Sequence, residues 1–162
     1  MPIASKAHSR LLALTLCISA STPLAPAETI VLWTFESSVP ASSGPHAAEA
    51  GSGTASGFHA DPAAAFSNPA GNGSAESFSA NRWAIGDYFE FRLSTTGYQD
   101  LRLSWDQSRS STGPATFDLA YSTDGIGFTI ALDDYAVSPS SFSGTSYRDA
   151  FTRTVDLVNA SR

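Results

Sequence analysis

Apolar and polar positions alternate most clearly in the second half of the chain. Over residues 87–93, Phe89, Phe91 and Leu93 alternate with Tyr88, Glu90 and Arg92. This is the two-residue period of a strand with one face in a core and the other in solvent. Leu101, Leu103 and Trp105 repeat the pattern against Arg102, Ser104 and Asp106, and Phe117, Leu119 and Tyr121 repeat it again. Turn-forming sequences separate the runs: Thr95-Thr96-Gly97, Ser111-Thr112-Gly113-Pro114 and Asp124-Gly125, which suit antiparallel connections. A further run, 128–132, follows the last turn, and 151–157 reads as a final strand with Val155 and Leu157 on one face. The alternation predicts that Phe89, Phe91, Leu103, Trp105, Phe117 and Leu119 are buried and that Glu90, Arg92, Arg102 and Asp118 face water.

The first half reads differently. Residues 29–35 hold Ile30, Val31, Leu32, Trp33 and Phe35 in a nearly unbroken apolar run, the mark of a core strand. From 36 to 82 the large apolar residues are Val39, Phe58, Phe66 and Phe78, set among Ser, Ala, Gly and Pro. That composition predicts a long irregular connection, draped over the fold and anchored at its phenylalanines. The whole reads as an all-β chain, an antiparallel two-sheet β-sandwich of jelly-roll-like type.

Residues 1–27 have the plan of a secretory leader. Lys6, His8 and Arg10 form a basic start, 11–18 an apolar run, and Ala25-Pro26-Ala27 a small-residue cleavage pattern. The apolar run is far shorter than the roughly 20 residues of a spanning helix, and Leu16 before Cys17 does not suit lipidation. The expected product is therefore secreted, with no membrane span in the mature chain, which begins at residue 28. That mature chain carries seven Arg against fifteen acidic residues, a formal charge of −8. Such a surface repels phosphate backbones and argues against nucleic acid as a partner. After residue 27 there is no Lys and no Cys, which excludes Schiff-base and thiolate chemistry and disulfides.

Candidate chemistry is sparse. His46 and His59 fall in the small-residue stretch and read as exposed loop histidines, with no elbow around a nucleophilic serine nearby. Asp124, Asp133 and Asp134 border an expected hairpin; oxygen-rich loops of this kind can hold calcium, while the plainer reading has Asp124 making the turn and the other two solvating an edge. No pair of carboxylates stands out for glycoside hydrolysis, so no catalytic residue is assigned. Trp33 and Trp105 lie in register with apolar strand faces and read as core. Trp83 and Tyr88 are the candidates for a ligand-binding platform. Asn72-Gly73-Ser74 and Asn159-Ala160-Ser161 match the N-glycosylation sequon but carry no weight, since the pattern is short.

Several consecutive motifs carry a resemblance: Pro69-Ala70-Gly71-Asn72-Gly73-Ser74, Trp83-Ala84-Ile85-Gly86-Asp87-Tyr88, Leu103-Ser104-Trp105-Asp106-Gln107, Thr112-Gly113-Pro114 and Tyr121-Ser122-Thr123-Asp124-Gly125. The stretch 54–128 that they mark resembles the N-terminal β-sandwich region of bacterial exported proteins of the PEP-CTERM sorting class, also met in front of lamin-tail and extracellular nuclease-like proteins. The resemblance implies a Gram-negative cell-surface or extracellular protein tied to exopolysaccharide or matrix. Members of that class continue with further strands and a sorting tail absent here, so the expectation is a sandwich incomplete at its C-terminus. Three functions follow as expectations: a non-enzymatic surface or matrix module, a carbohydrate-binding module for exopolysaccharide, or the accessory front of an extracellular nuclease or hydrolase.

Overall fold

The computed structural model describes residues 27–157. The leader apart from Ala27, and the sequon at Asn159, lie outside the described residues. Among the described residues nine strands follow in order: β1 (His46–Ala47), β2 (Gly53–Phe58), β3 (Phe66–Ser67), β4 (Ser79–Ala80), β5 (Tyr88–Leu93), β6 (Leu101–Asp106), β7 (Thr116–Tyr121), β8 (Thr129–Ala136) and β9 (Thr152–Leu157). Every pairing is antiparallel, in four small sheets: β1-β2-β5, β3-β4, β6-β9 and β7-β8. A single 3-10 turn (Asp149–Phe151) leads into β9, and no α-helix occurs among the described residues. None of their helices is long and apolar enough to cross a membrane.

The alternation of the second half is realised in β6, β7 and β9. Leu101, Leu103 and Trp105 are half-buried while Arg102, Ser104 and Asp106 are exposed, and Phe117 and Leu119 are likewise turned inward against Asp118. Leu103 pairs across with Val155 and Leu101 with Leu157, so one face of β6-β9 is apolar. On the other face Arg102 donates to both Asp156 oxygens, at 2.7 and 3.2 Å.

Three expectations are corrected. Phe91 is 47% exposed although Phe89 on the same face is half-buried. Phe91 meets Trp33 in an edge-to-face contact at 5.2 Å, whereas Phe89 packs against both Phe78 and Trp83, at 4.5 and 5.0 Å. Phe91→Ala is therefore expected to cost about 1 kcal/mol, well short of a fully buried aromatic, as read from denaturant midpoints. Residues 29–35 are not a strand. Leu32 makes one isolated bridge with Ala50, and Phe35 takes a left-handed conformation with φ 64°. The Glu49 carboxylate instead accepts the amides of Thr34 at 3.0 Å and Ser37 at 3.4 Å, which diverts this backbone from a ladder.

The stretch 36–82 contains four strands, among them β2, the central strand of the three-stranded sheet. Its inward positions are Ala55, fully buried, and Gly57. A Cβ on Gly57 would lie 2.5 Å from the Phe66 ring, so only glycine lets β3 lie across β2. Of the three phenylalanines expected to anchor the stretch, Phe66 and Phe78 pack inward, whereas Phe58 is 47% exposed and stacks on Tyr88 at the surface. Rings in contact run from Phe35 to Phe78 (5.5 Å), Phe78 to Phe89 (4.5 Å), Phe89 to Trp83 (5.0 Å), Trp83 to Phe117 (5.2 Å), Phe117 to Tyr135 (6.5 Å) and Tyr135 to Trp105 (5.8 Å). This run of half-buried rings joins the β2-β5 region to β7-β8 and β6, while the buried hydrophobic side chains among the described residues include Ala55, Val137 and Phe151.

Asn72 ties the 69–76 segment to the segment before β9. Buried at 8% exposure, it accepts the Arg148 amide and donates to the Arg148 carbonyl, both at 3.0 Å. The side-chain nitrogen of this sequon is thus enclosed and engaged.

Candidate functional site

Strand register creates the site. Phe58 ends β2 and Tyr88 opens β5, and the two are direct partners. Their neighbours His59 and Asp87 therefore meet just past the end of the pair, on the opposite face by alternation. His59 Nδ1 stands 3.1 Å from Asp87 Oδ2, and the two side chains are 2% and 0% exposed. Trp83 packs edge-on to the His59 ring at 4.5 Å and Phe66 at 5.3 Å.

Asp87 is anchored mainly by backbone. Its Oδ1 accepts the Ala60 amide at 2.8 Å and its Oδ2 the Ala84 amide at 2.7 Å, while its own amide donates to the Ala84 carbonyl at 3.1 Å. This closes the turn over 84–87, in which Gly86 takes φ 95°, a conformation that glycine adopts without strain. The Ala60 amide foremost, then the Ala84 amide and the adjacent His59, hold the Asp87 carboxyl below the usual carboxylate range against the opposing effect of enclosure. The carboxylate thus clasps the chain after β2 to the turn before β5.

A histidine beside a buried carboxylate is the arrangement that general-base catalysis uses. Here both ring nitrogens of His59 are enclosed and make no aligned hydrogen bond. A cleft of about 260 Å³ lies alongside, bounded by Ser43, Phe58, His59, Asp61, Pro62 and Phe66. Ser43 is the hydroxyl of that cleft, yet it makes no hydrogen bond to the imidazole, so the link between nucleophile and base that would activate it is missing. Asp61 accepts the Ala63 amide at 2.8 Å and pairs with Arg82 at 3.3 Å.

The residues singled out from sequence are scattered. Trp83 is a half-buried packing side chain: its indole N–H donates to the Ala80 carbonyl at 2.9 Å and its ring packs against His59, Phe89 and Phe117. Tyr88 is surface, 51% exposed, and stacks on Phe58 at 5.3 Å with ring planes 21° apart. Asp124 makes its turn, accepting from the amides of Ile126 at 2.8 Å and Gly127 at 2.9 Å. Asp133 and Asp134 are exposed, and the Asp134 amide donates to Asp118 at 2.8 Å. No group of three or more His, Cys, Asp or Glu side chains among the described residues is arranged to hold a metal ion. The histidines are a further correction. His46 lies in β1, buried, with Nε2 3.0 Å from the Ser42 carbonyl and its ring against Phe78 at 5.0 Å. His59 is enclosed because the pairing of β2 with β5 brings a distant carboxylate and an indole over it.

Sequence reasoning also missed Phe58, Ser56 and Thr54 as members of an ordered face. They stand directly across from Tyr88, Glu90 and Arg92 respectively. The period-2 order of 54, 56 and 58 was the available signal, masked by the small residues between. No family model, no curated protein and no solved structure matches this chain.

Proposed function

We propose that this chain is an exported, non-enzymatic β-sandwich module of a cell-surface or extracellular-matrix protein, a domain that binds rather than converts. The enclosure of the His59–Asp87 pair carries the reading: this arrangement, which resembles a catalytic base, has side chains only 2% and 0% exposed with Trp83 and Phe66 packed on the imidazole, and its carboxylate holds backbone amides. The aromatic run between the β2-β5 region and β7-β8 is the support for two facing layers. The leader pattern of 1–27 supports export, and the resemblance of 54–128 supports the surface or matrix setting.

A screen of the purified chain against chromogenic glycosides, esters and phosphodiesters tests the non-enzymatic part, run beside His59→Phe. Turnover should not exceed the blank in either protein. Turnover by the native chain that His59→Phe abolishes would overturn the reading. Export has its own test in mass spectrometry of secreted material, which should begin close to Glu28 because Ala25 and Ala27 fit the cleavage requirement. A start deep within the folded region would contradict it.

A carbohydrate-binding role is the second reading, favoured by the exposed Phe58–Tyr88 stack beside the cleft.

A further inference from the structure

The outer face of the β2-β5 pair is built of three cross-strand pairs: Phe58 with Tyr88, Ser56 with Glu90, and Thr54 with Arg92. Alternation sets these six opposite the inward face that carries Ala55, Gly57 and Phe89. Successive pairs are about 7 Å apart, a span on the order of 14 Å from the aromatic pair to the last. Phe58 and Tyr88 are stacked and 47% and 51% exposed, and Phe58 also bounds the 260 Å³ cleft with Ser43 and Asp61. The face therefore runs from a cleft, past two rings stacked on one another with their outer sides open, onto hydroxyl and charged groups.

Its charges are internally matched. Arg92 donates to both Glu90 oxygens at 2.8 and 3.0 Å, and Asp61 pairs with Arg82 at 3.3 Å. An anionic ligand would find no unmatched cation here and would approach a chain of net negative charge. A purely apolar partner would strip water from Ser56, Glu90 and Arg92 without replacing its hydrogen bonds. A neutral sugar chain satisfies both constraints: the C–H face of a ring lies on an aromatic plane, while its hydroxyls donate to carboxylate and accept from guanidinium and hydroxyl.

We propose that this face and the adjoining cleft bind a neutral polysaccharide, with the open outer side of the Phe58–Tyr88 stack as the ring contact and Ser56, Glu90 and Arg92 as the hydrogen-bonding track. The inference deepens the binding-module reading and rests on it.

Affinity electrophoresis of the purified chain through gels containing galactomannan, hydroxyethylcellulose, dextran or alginate provides the test. Retardation is expected in at least one of the three neutral gels and not in alginate. Phe58→Ala and Tyr88→Ala should each weaken the retaining interaction about tenfold or more. Phe128→Ala, which removes an aromatic 60% exposed elsewhere, should leave it unchanged. A measurement on the native chain guards against misfolded variants: titration with the trisaccharide of the retaining polysaccharide should shift amide resonances mainly within 54–61 and 86–92. No retardation in any neutral gel, retention by alginate as strong as by the neutral gels, retention indifferent to both ring deletions, or shifts lying elsewhere would each overturn the inference. None of these outcomes involves turnover, so a failed sugar site and a failed non-enzymatic reading are told apart by the screen with His59→Phe.

Discussion

Trp83→Ala is expected to destabilise the chain by about 3 kcal/mol, the lower end of the range for deleting a packed aromatic because the ring is half-buried, and to do so cooperatively across both halves of the fold. The indole is the link between Phe89 of β5 and Phe117 of β7, at 5.0 and 5.2 Å, and it also covers His59 at 4.5 Å. Its removal leaves a void where three elements meet and opens a path for water to the His59–Asp87 pair. Equilibrium denaturation followed by far-UV circular dichroism measures the loss. Near-UV signals from the remaining aromatics should weaken even where the variant stays folded. A midpoint within experimental error of the native one would place Trp83 on the surface, as a ligand platform would require, and would contradict the packing.

The second large effect concerns Asp87 and acid. A carboxyl held below its ordinary range in the folded state stabilises that state above the unfolded-chain value. The contribution is lost as pH falls through the lower, folded value. Thermal midpoints of the native chain should thus be level near neutrality and fall on acidification below the ordinary carboxylate range. Asp87→Asn should lower the midpoint at neutral pH, because one of the two carboxylate oxygens that accept the Ala60 and Ala84 amides becomes a donor. It should also flatten part of the acid dependence, since Asn does not titrate there. Asp156, held low by the Arg102 guanidinium, contributes in the same direction, but both partners are 67% exposed, so Asp156→Asn should flatten the curve far less. An unchanged neutral midpoint in Asp87→Asn would mean that the clasp is not structural.

How far this was legible from sequence depended on side-chain size. In β6 and β7 the inward residues are Leu, Trp and Phe and the outward ones charged or small, so period and face could both be read. In β2 the inward residues are Ala55 and Gly57, because the bulk of the core at that point comes from Phe66 and Phe78 laid across the strand. A strand whose apolar cover is supplied by its neighbours has no hydrophobic period of its own. Residues 29–35 failed for the opposite reason: a continuous apolar run carries no phase, and capture of the Thr34 and Ser37 amides by Glu49 decided the backbone. The Asp124 turn was legible because the local sequence makes it. The His59–Asp87 pair was not, because its partners are brought together by the register of β2 against β5, which no local pattern encodes.

Carbethoxylation of histidine tests the sealing of that pair directly. Treated folded at neutral pH with diethyl pyrocarbonate and mapped by peptide mass spectrometry, the chain should leave His59 unmodified over times that label it fully in the urea-unfolded chain. Trp83→Ala should restore labelling. Rapid modification of His59 in the native chain would show an accessible imidazole beside a carboxylate, the state that a catalytic base requires, and would contradict the account of this protein as a binding module.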